Sequence, residues 1–311
     1  GSKMTAETNG KGKEEIMRKL NKKKKIAAAG FIMPAVLFLF LFSVIPMLYS
    51  FGISFFQYNT AMSKDTVRFN GLANYISVLT NEQFLSSAAW TLSFAVIVVI
   101  LNLVLGMTLA VALTTKLLPK LSAVLKIIFI LPMMIAPIVT ATIWKLMFSP
   151  IYGVLNGILV SLGQNRINWF ADVLPARIAI IIVEVWATTP LCMLILMAAL
   201  KTVPEELLEA SRIDGASSVK QFCFITLPQI RKFIGLVVIL RFMDAIRMFD
   251  IVYNLTNGGP GTATETMAST IYKMAFRYFN VGEGSAGAYI FFAIILLFSG
   301  LMAKVAIRDD E

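Results

Sequence analysis

Six long apolar runs, at residues 28–56, 87–114, 122–148, 176–200, 233–255 and 286–306, dominate the chain. A helix needs about 20 mostly apolar residues to cross the hydrocarbon core of a bilayer. In lipid every backbone polar group must find a partner within the protein, so spanning segments are helices or closed barrels. These runs are continuous rather than alternating, which argues against barrel strands. The sequence therefore predicts an all-α polytopic membrane protein with six transmembrane helices. Composition agrees: 58% of the residues are hydrophobic and 15% charged, against about 45–50% and 25% for ordinary soluble domains. The first run is too long for a signal peptide, and Pro34 and Pro46 interrupt it without a small-residue cleavage site.

The loops set the orientation, because Lys and Arg gather on the cytoplasmic side. Residues 1–25 carry nine Lys or Arg against three Glu. Loop 57–86 is balanced, with Lys64 and Arg68 against Asp65 and Glu82. The next turn and its flank hold Lys116, Lys120 and Lys126, whereas loop 149–175 has only Arg166 and Asp172. Loop 201–232 is basic again, through Lys201, Arg212, Lys220, Arg231 and Lys232. Loop 256–285 sets Lys273 and Arg277 against Glu265 and Glu283, and the C-terminal end carries Lys304 and Arg308. Basic and poor loops alternate, as six spans with both termini in the cytoplasm require. The chain divides into a basic tail at 1–27, a six-span domain at 28–306 and a short tail at 307–311. Gly1, Ser2 and Lys3, ahead of Met4, read as an added leader.

Several chemistries are excluded early. The chain has no histidine, which removes Ser-His and Cys-His catalysis and the usual zinc sites. Cys192 and Cys223 fall at different depths, so a disulfide is not expected. The basic tail lacks the interleaved aromatics of a nucleic-acid module. No phosphate-binding G-x-x-x-x-G-K-[ST] loop occurs, and the run Asn257-Gly258-Gly259-Pro260-Gly261 reads as a turn cluster. Segment 151–163 is apolar but short. It reads as a helix lying at the outer interface, with an extension of the third span as the rival reading.

Loop 201–232 has a local grammar of its own. Pro204 suits the start of a helix, with Glu205 and Glu206 at its positive end. Leu207, Leu208, Ala210 and Ile213 give it an apolar stripe, and Gly215 is placed to end it in a left-handed conformation. A second short helix is expected from about Ser217 to a stop before Pro228. Glu209-Ala210-Ser211, three residues, Gly215, nine residues and Ile225-Thr226-Leu227-Pro228 resemble the signature loop of ABC-transporter permease subunits of bacterial importers. Only Ser211 departs from that pattern, where the family favours Ala. The resemblance extends over the six-span layout.

It implies the type I ABC importer permease fold. It also implies that this loop is a coupling helix seated on an ATPase subunit through Glu209, Ala210, Ser211, Asp214 and Gly215. No cofactor is expected in this chain, since ATP and Mg would sit on the partner ATPases. The implied partners are a second homologous permease, two ATPase subunits and an extracytoplasmic sugar-binding protein.

The stretch from Phe249 to Pro260 resembles the end of the fifth span in permeases for maltose, lactose and glycerol phosphate, and Pro34, Ala35 and Pro46 fit that class. The resemblance implies a sugar or oligosaccharide importer subunit, with a glycerol-phosphate or polyol importer as the alternative. An ion-coupled carrier working alone is the rival from another class, but the chain shows no paired halves. Polar groups inside spans call for a role. Arg241, Asp244, Arg247 and Asp250 stand three residues apart, placed either to pair along a helix or to line a sugar path. Asp250, Tyr253, Asn254 and Asn257 are the candidates for that path, with Glu184 and Trp186 from the fourth span. Trp144 and Lys145 read as interface anchors.

Overall fold

The structure is a computed structural model describing residues 30–62, 67–114 and 119–308. The tail at 1–27, the loop residues Lys64, Asp65 and Lys116, and residues 309–311 lie outside the described residues.

Helix α1 (Gly30–Ile53) is apolar all round, and nothing in its spanning window is buried. A helix of that kind faces lipid. A two-strand ribbon follows, β1 (Phe56–Gln57) antiparallel to β2 (Arg68–Phe69), and then a short helix α2 (Ala73–Thr80). Helix α3 (Glu82–Thr114) is 33 residues long, about 50 Å at 1.5 Å per residue. It packs along α7 (Val173–Leu200), with Gly106 so close to α7 that a Cβ there would stand 2.8 Å from that of Cys192. Phe94, Val98, Ile180, Val183, Ala245 and Ile246 are fully buried between α3, α7 and α9 (Ser218–Ile246). The last span is α12 (Val281–Arg308). Cys192 is buried and Cys223 exposed, and neither is bridged.

Two expected spans are broken. The run 122–148, expected as one helix, is α4 (Pro119–Ile130), a single turn at Leu131–Met134 and α5 (Pro137–Met147), bent by 103° across the break. Pro137 is the cause. It has no N–H for the ladder, and its ring forces the residue before it out of the helical region; Ala136 accordingly has ψ 139°. The run 233–255, also expected as one helix, stops at Ile246. It resumes only as α10 (Asp250–Leu255), after Arg247, Met248 and Phe249. Among the described residues five helices are long and apolar enough to span, or six spans if the bent pair is counted as one, in agreement with the six-span layout. Segment 151–163 forms its own helix α6 (Val154–Ser161), separated from α5 by a turn, so it does not extend the third span. A further short helix, α11 (Met267–Tyr272), is continued by a π-turn at Lys273–Arg277.

Pro228 was expected to stop a short helix and does not. Helix α9 runs through it by way of a π-turn at Phe222–Thr226, in which the Leu227 N–H donates to the Phe222 carbonyl. Pro46 in α1 is treated the same way, with a π-turn at Phe40–Val44 and the Ile45 N–H on the Phe40 carbonyl. Both prolines follow directly on a wider turn, which absorbs the missing donor without ending the helix.

Candidate functional site

Two places carry the unusual chemistry, one at each end of α9. At its start stands α8 (Glu205–Ile213), opened by Pro204 and carrying Glu205 and Glu206 in its first turn. Gly215 has φ +78°. Its N–H donates to the Arg212 carbonyl at 3.1 Å, and the Ala216 N–H donates to the Ser211 carbonyl at 2.9 Å. That pair of bonds closes a helix in the Schellman manner. Ser217 caps α9 by accepting from the Lys220 N–H. The Gln221 side chain, donating to the Leu208 carbonyl at 3.5 Å, ties the two helices together.

Glu209, Ala210, Asp214 and Gly215 are exposed, while Ser211 is turned inward with its hydroxyl on the Leu208 carbonyl. Around them Ile213, Val219 and Phe224 are 87%, 72% and 77% exposed. A groove of about 740 Å³ separates this loop from the end of α3 and is lined by Val111, Thr114, Leu208 and Glu209.

The second place lies where the two broken spans meet. A cavity of about 500 Å³ is bounded by Pro132, Pro137 and Thr140 at the first break, by Glu184 and Thr188 of α7, and by Arg241, Asp244, Arg247, Phe249 and Asp250 at the second. Irregular backbone at membrane depth is tolerated where it lines a cavity, and transporters place substrate at such discontinuities. The charges form a ladder. Arg241 Nη2 donates to Glu184 Oε1 at 3.0 Å and its Nη1 to Asp244 Oδ2 at 3.1 Å. Arg247 reaches the other Asp244 oxygen at 3.2 Å. The Arg241 and Glu184 side chains are only 4% and 8% exposed. Asn102 holds Thr188 and Thr189 through hydrogen bonds of 3.0 and 2.9 Å. Two residues bordering this cavity each hold a buried polar atom, Arg241 Nε and Thr140 Oγ1, with no hydrogen-bond partner among the described residues.

Of the residues singled out in the sequence for a substrate path, Glu184 and Asp250 line this cavity. The other four stand elsewhere. Tyr253 stacks on Phe249 at 5.1 Å, and its hydroxyl accepts from Arg277 at 3.0 Å. The Asn254 side chain donates to the Asp250 carbonyl at 2.7 Å. Asn257 takes φ 51°, and its carbonyl accepts from Lys273 at 2.7 Å. Trp186 sits edge-on to Trp144 at 5.5 Å. Thr140 escaped the sequence reading because scattered threonines in an apolar run, here Thr140 and Thr142, carry no signal. The flanking Pro132 and Pro137 could have marked the break beside it. Among the described residues no group of three or more His, Cys, Asp or Glu is placed to hold a metal ion.

Broken spans around a cavity bordered by paired charges, with a closed helix–turn–helix at one end of the same helix, fit a multi-pass membrane transport subunit. The chain belongs to the family of binding-protein-dependent transport system inner membrane components, whose pattern matches residues 102–308. It is 38% identical over 277 residues to the trehalose/maltose transport system permease protein MalF of Thermococcus litoralis, covering 88% of this chain and 91% of that protein. It is 30% identical over 278 residues to the trehalose transport system permease protein SugA of Mycobacterium tuberculosis, covering 88% and 86%. A chain of a bacterial alginate ABC transporter, solved in complex with an alginate pentasaccharide-bound periplasmic protein, shares the fold. Its TM-score is 0.81 at 19% identity, over 92% of this chain and 96% of that one.

Proposed function

We propose that this chain is one half of the translocation path of an ATP-driven sugar importer, and that its substrate passes through the cavity between the two helix breaks. The observation that carries the reading is the cavity itself, set where two spans break and bordered by Glu184, Arg241, Asp244, Arg247 and Asp250. Charged groups within spans call for a role, and the exposed Asp250 carboxylate can accept hydrogen bonds from a hydroxyl-rich ligand. Relatives named for trehalose and maltose transport support a sugar as that ligand. The lever loop supports the coupling. Its surface presents an acidic group, Glu209, beside the apolar Ile213, Val219 and Phe224, which suits a protein partner that hydrolyses ATP. Glu209, Ala210, Asp214 and Gly215 are its contact surface, and Ser211 braces it from within. The second permease, two ATPase subunits and a binding protein complete the machine. ATP and Mg sit on the ATPases.

The decisive experiment is uptake of radiolabelled maltose and trehalose by proteoliposomes holding the co-purified subunits and the binding protein. Uptake should need ATP inside and binding protein outside. Uptake driven by a proton or sodium gradient without ATP would sink the reading. Both termini and the lever loop lie on the cytoplasmic side, a reading that rests on the alternation of basic loops. A membrane-impermeant maleimide should therefore label the exposed Cys223 in inside-out vesicles and not in intact cells.

A further inference from the structure

We infer that the cavity at the two helix breaks selects neutral sugars over anionic ones, and that Asp250 sets this preference. The inference rests on the reading of the cavity as the sugar site. The first break contributes no charge to the wall, only Pro132, Met133, Ile135, Pro137 and Thr140. Helix α7 contributes Glu184, and the second break contributes Arg241, Asp244, Arg247 and Asp250. Three carboxylates therefore face two guanidinium groups.

Both guanidinium groups are already engaged by carboxylates of the ladder. Both Nη atoms of Arg241 are taken by Glu184 and Asp244. Arg247 gives its Nε to the Met243 carbonyl and an Nη to Asp244. Tight capture of a carboxylate or phosphate uses two parallel N–H bonds from one guanidinium. Arg241 is sealed within the ladder, its Nε buried and its side chain only 4% exposed.

Asp250 differs from the other two carboxylates. It is exposed on the cavity wall at the start of α10, and the ion pairs of the ladder pass it by. A carboxylate accepts hydrogen bonds from sugar hydroxyls and donates none. A neutral sugar can therefore donate its hydroxyls to Asp250 on the cavity wall without bringing a charge of its own. A uronate or a phosphorylated polyol brings a second negative charge to the same wall, where like charges in a partly desolvated site repel. This separates the chain's substrate from the acidic polysaccharide of its alginate-importing structural neighbour, although the fold is shared. It also disfavours glycerol phosphate.

The binding protein selects sugars before they reach the membrane, so the test removes it. The permease–ATPase assembly in nanodiscs is titrated with maltose, with a diuronate of matching size and with sn-glycerol 3-phosphate, and binding is read by equilibrium dialysis. Maltose should bind at least about tenfold more tightly than either anion, as expected for a like-charge clash. Asp250→Asn keeps the shape of the side chain and should bring the maltose-to-diuronate ratio to within about threefold, mainly by strengthening diuronate binding. Equal or tighter diuronate binding by the unaltered protein overturns the selectivity while leaving the sugar site standing. So does an unchanged ratio in Asp250→Asn. Failure of all three probes to bind overturns the selectivity together with the sugar site on which it rests.

Discussion

The two ends of α9 handle similar materials in opposite ways. At its start, where Pro228 falls in the sequence, the helix continues through a π-turn, and the neighbouring loop leaves acidic and apolar side chains alike on the surface. At its end the helix breaks at Arg247 with no proline at the break; Arg241 turns inward onto Glu184, and the half-exposed Asp244 pairs with it and with the half-exposed Arg247. The glycines differ likewise. Gly215 and Gly258 both have positive φ. A Cβ on Gly215 would meet nothing within 4 Å, whereas one on Gly258 would stand 2.4 Å from Glu265 Cγ and 3.1 Å from Lys273 Nζ. The contrast separates a surface shaped for something outside the chain from an interior shaped around a small volume. One end is continuous in backbone and leaves Glu209, Ile213, Val219 and Phe224 on the surface. The other is irregular in backbone and ties Arg241, Asp244, Arg247 and Glu184 into one set of ion pairs.

The sharpest way to break this contrast is to open the buried ladder. Arg241→Leu leaves the Glu184 carboxylate buried and uncompensated, which costs roughly 3–5 kcal/mol and should lower the thermal unfolding temperature of the detergent-purified protein. Adding Glu184→Gln should restore part of the loss. If Arg241→Leu alone unfolds like the unaltered protein, the ladder is wetter than described and the two ends of α9 are not so different.

The glycines give a comparison of intermediate size. A side chain in the left-handed conformation costs about 1–2 kcal/mol, and Gly215→Val should lose only that. It should remain inserted yet fail to transport, because the lever is misplaced rather than unfolded. Gly258→Ala carries the same strain and also collides with the buried Glu265, which Lys273 holds at 2.6 Å. It should be less stable than Gly215→Ala in the same unfolding assay, and the reverse order would contradict the packing described. Glu209→Lys, on the exposed face of α8, should leave stability within about 0.5 kcal/mol while abolishing sugar-stimulated ATP hydrolysis in the reconstituted complex. Normal hydrolysis and uptake in both Glu209→Lys and Gly215→Val would remove the loop from the coupling path.

The smallest effect is expected at Thr140. Its hydroxyl is buried without a partner, so Thr140→Val should leave stability unchanged or slightly raised. Sugar binding to the assembled complex should weaken by about 3- to 10-fold, the equivalent of one hydrogen bond. A fall in stability with unchanged binding would return Thr140 to an ordinary packing role.

Much of this was legible along the chain. The apolar runs located the spans because burying a helix in lipid needs only length and apolarity, both local properties. The breaks inside two of them were harder to read. Pro132 and Pro137 stand in plain view at the first, but Pro34 and Pro46 in α1 and Pro190 within α7 are accommodated in helices that still span. A proline alone therefore does not say whether a span bends, turns wide or breaks.

What the sequence determined by itself was whatever rests on neighbours within a turn or two. The lever's closure at Gly215 depends on contacts from Ser211 to Ala216, and the pairing of Arg241, Asp244 and Arg247 follows from their spacing on one helix. Tertiary structure alone decided that Arg241 meets Glu184, 57 residues away, and that Thr140 and Asp250 share a cavity with them. It also decided that Tyr253, Asn254, Asn257 and Trp186 stand off that cavity's wall. Spacing fixes which side chains share a face of one helix. Which face meets which is fixed by the packing of α3, α7 and α9, where Gly106 lets two backbones close to contact and the buried apolar side chains set the rotation of each helix.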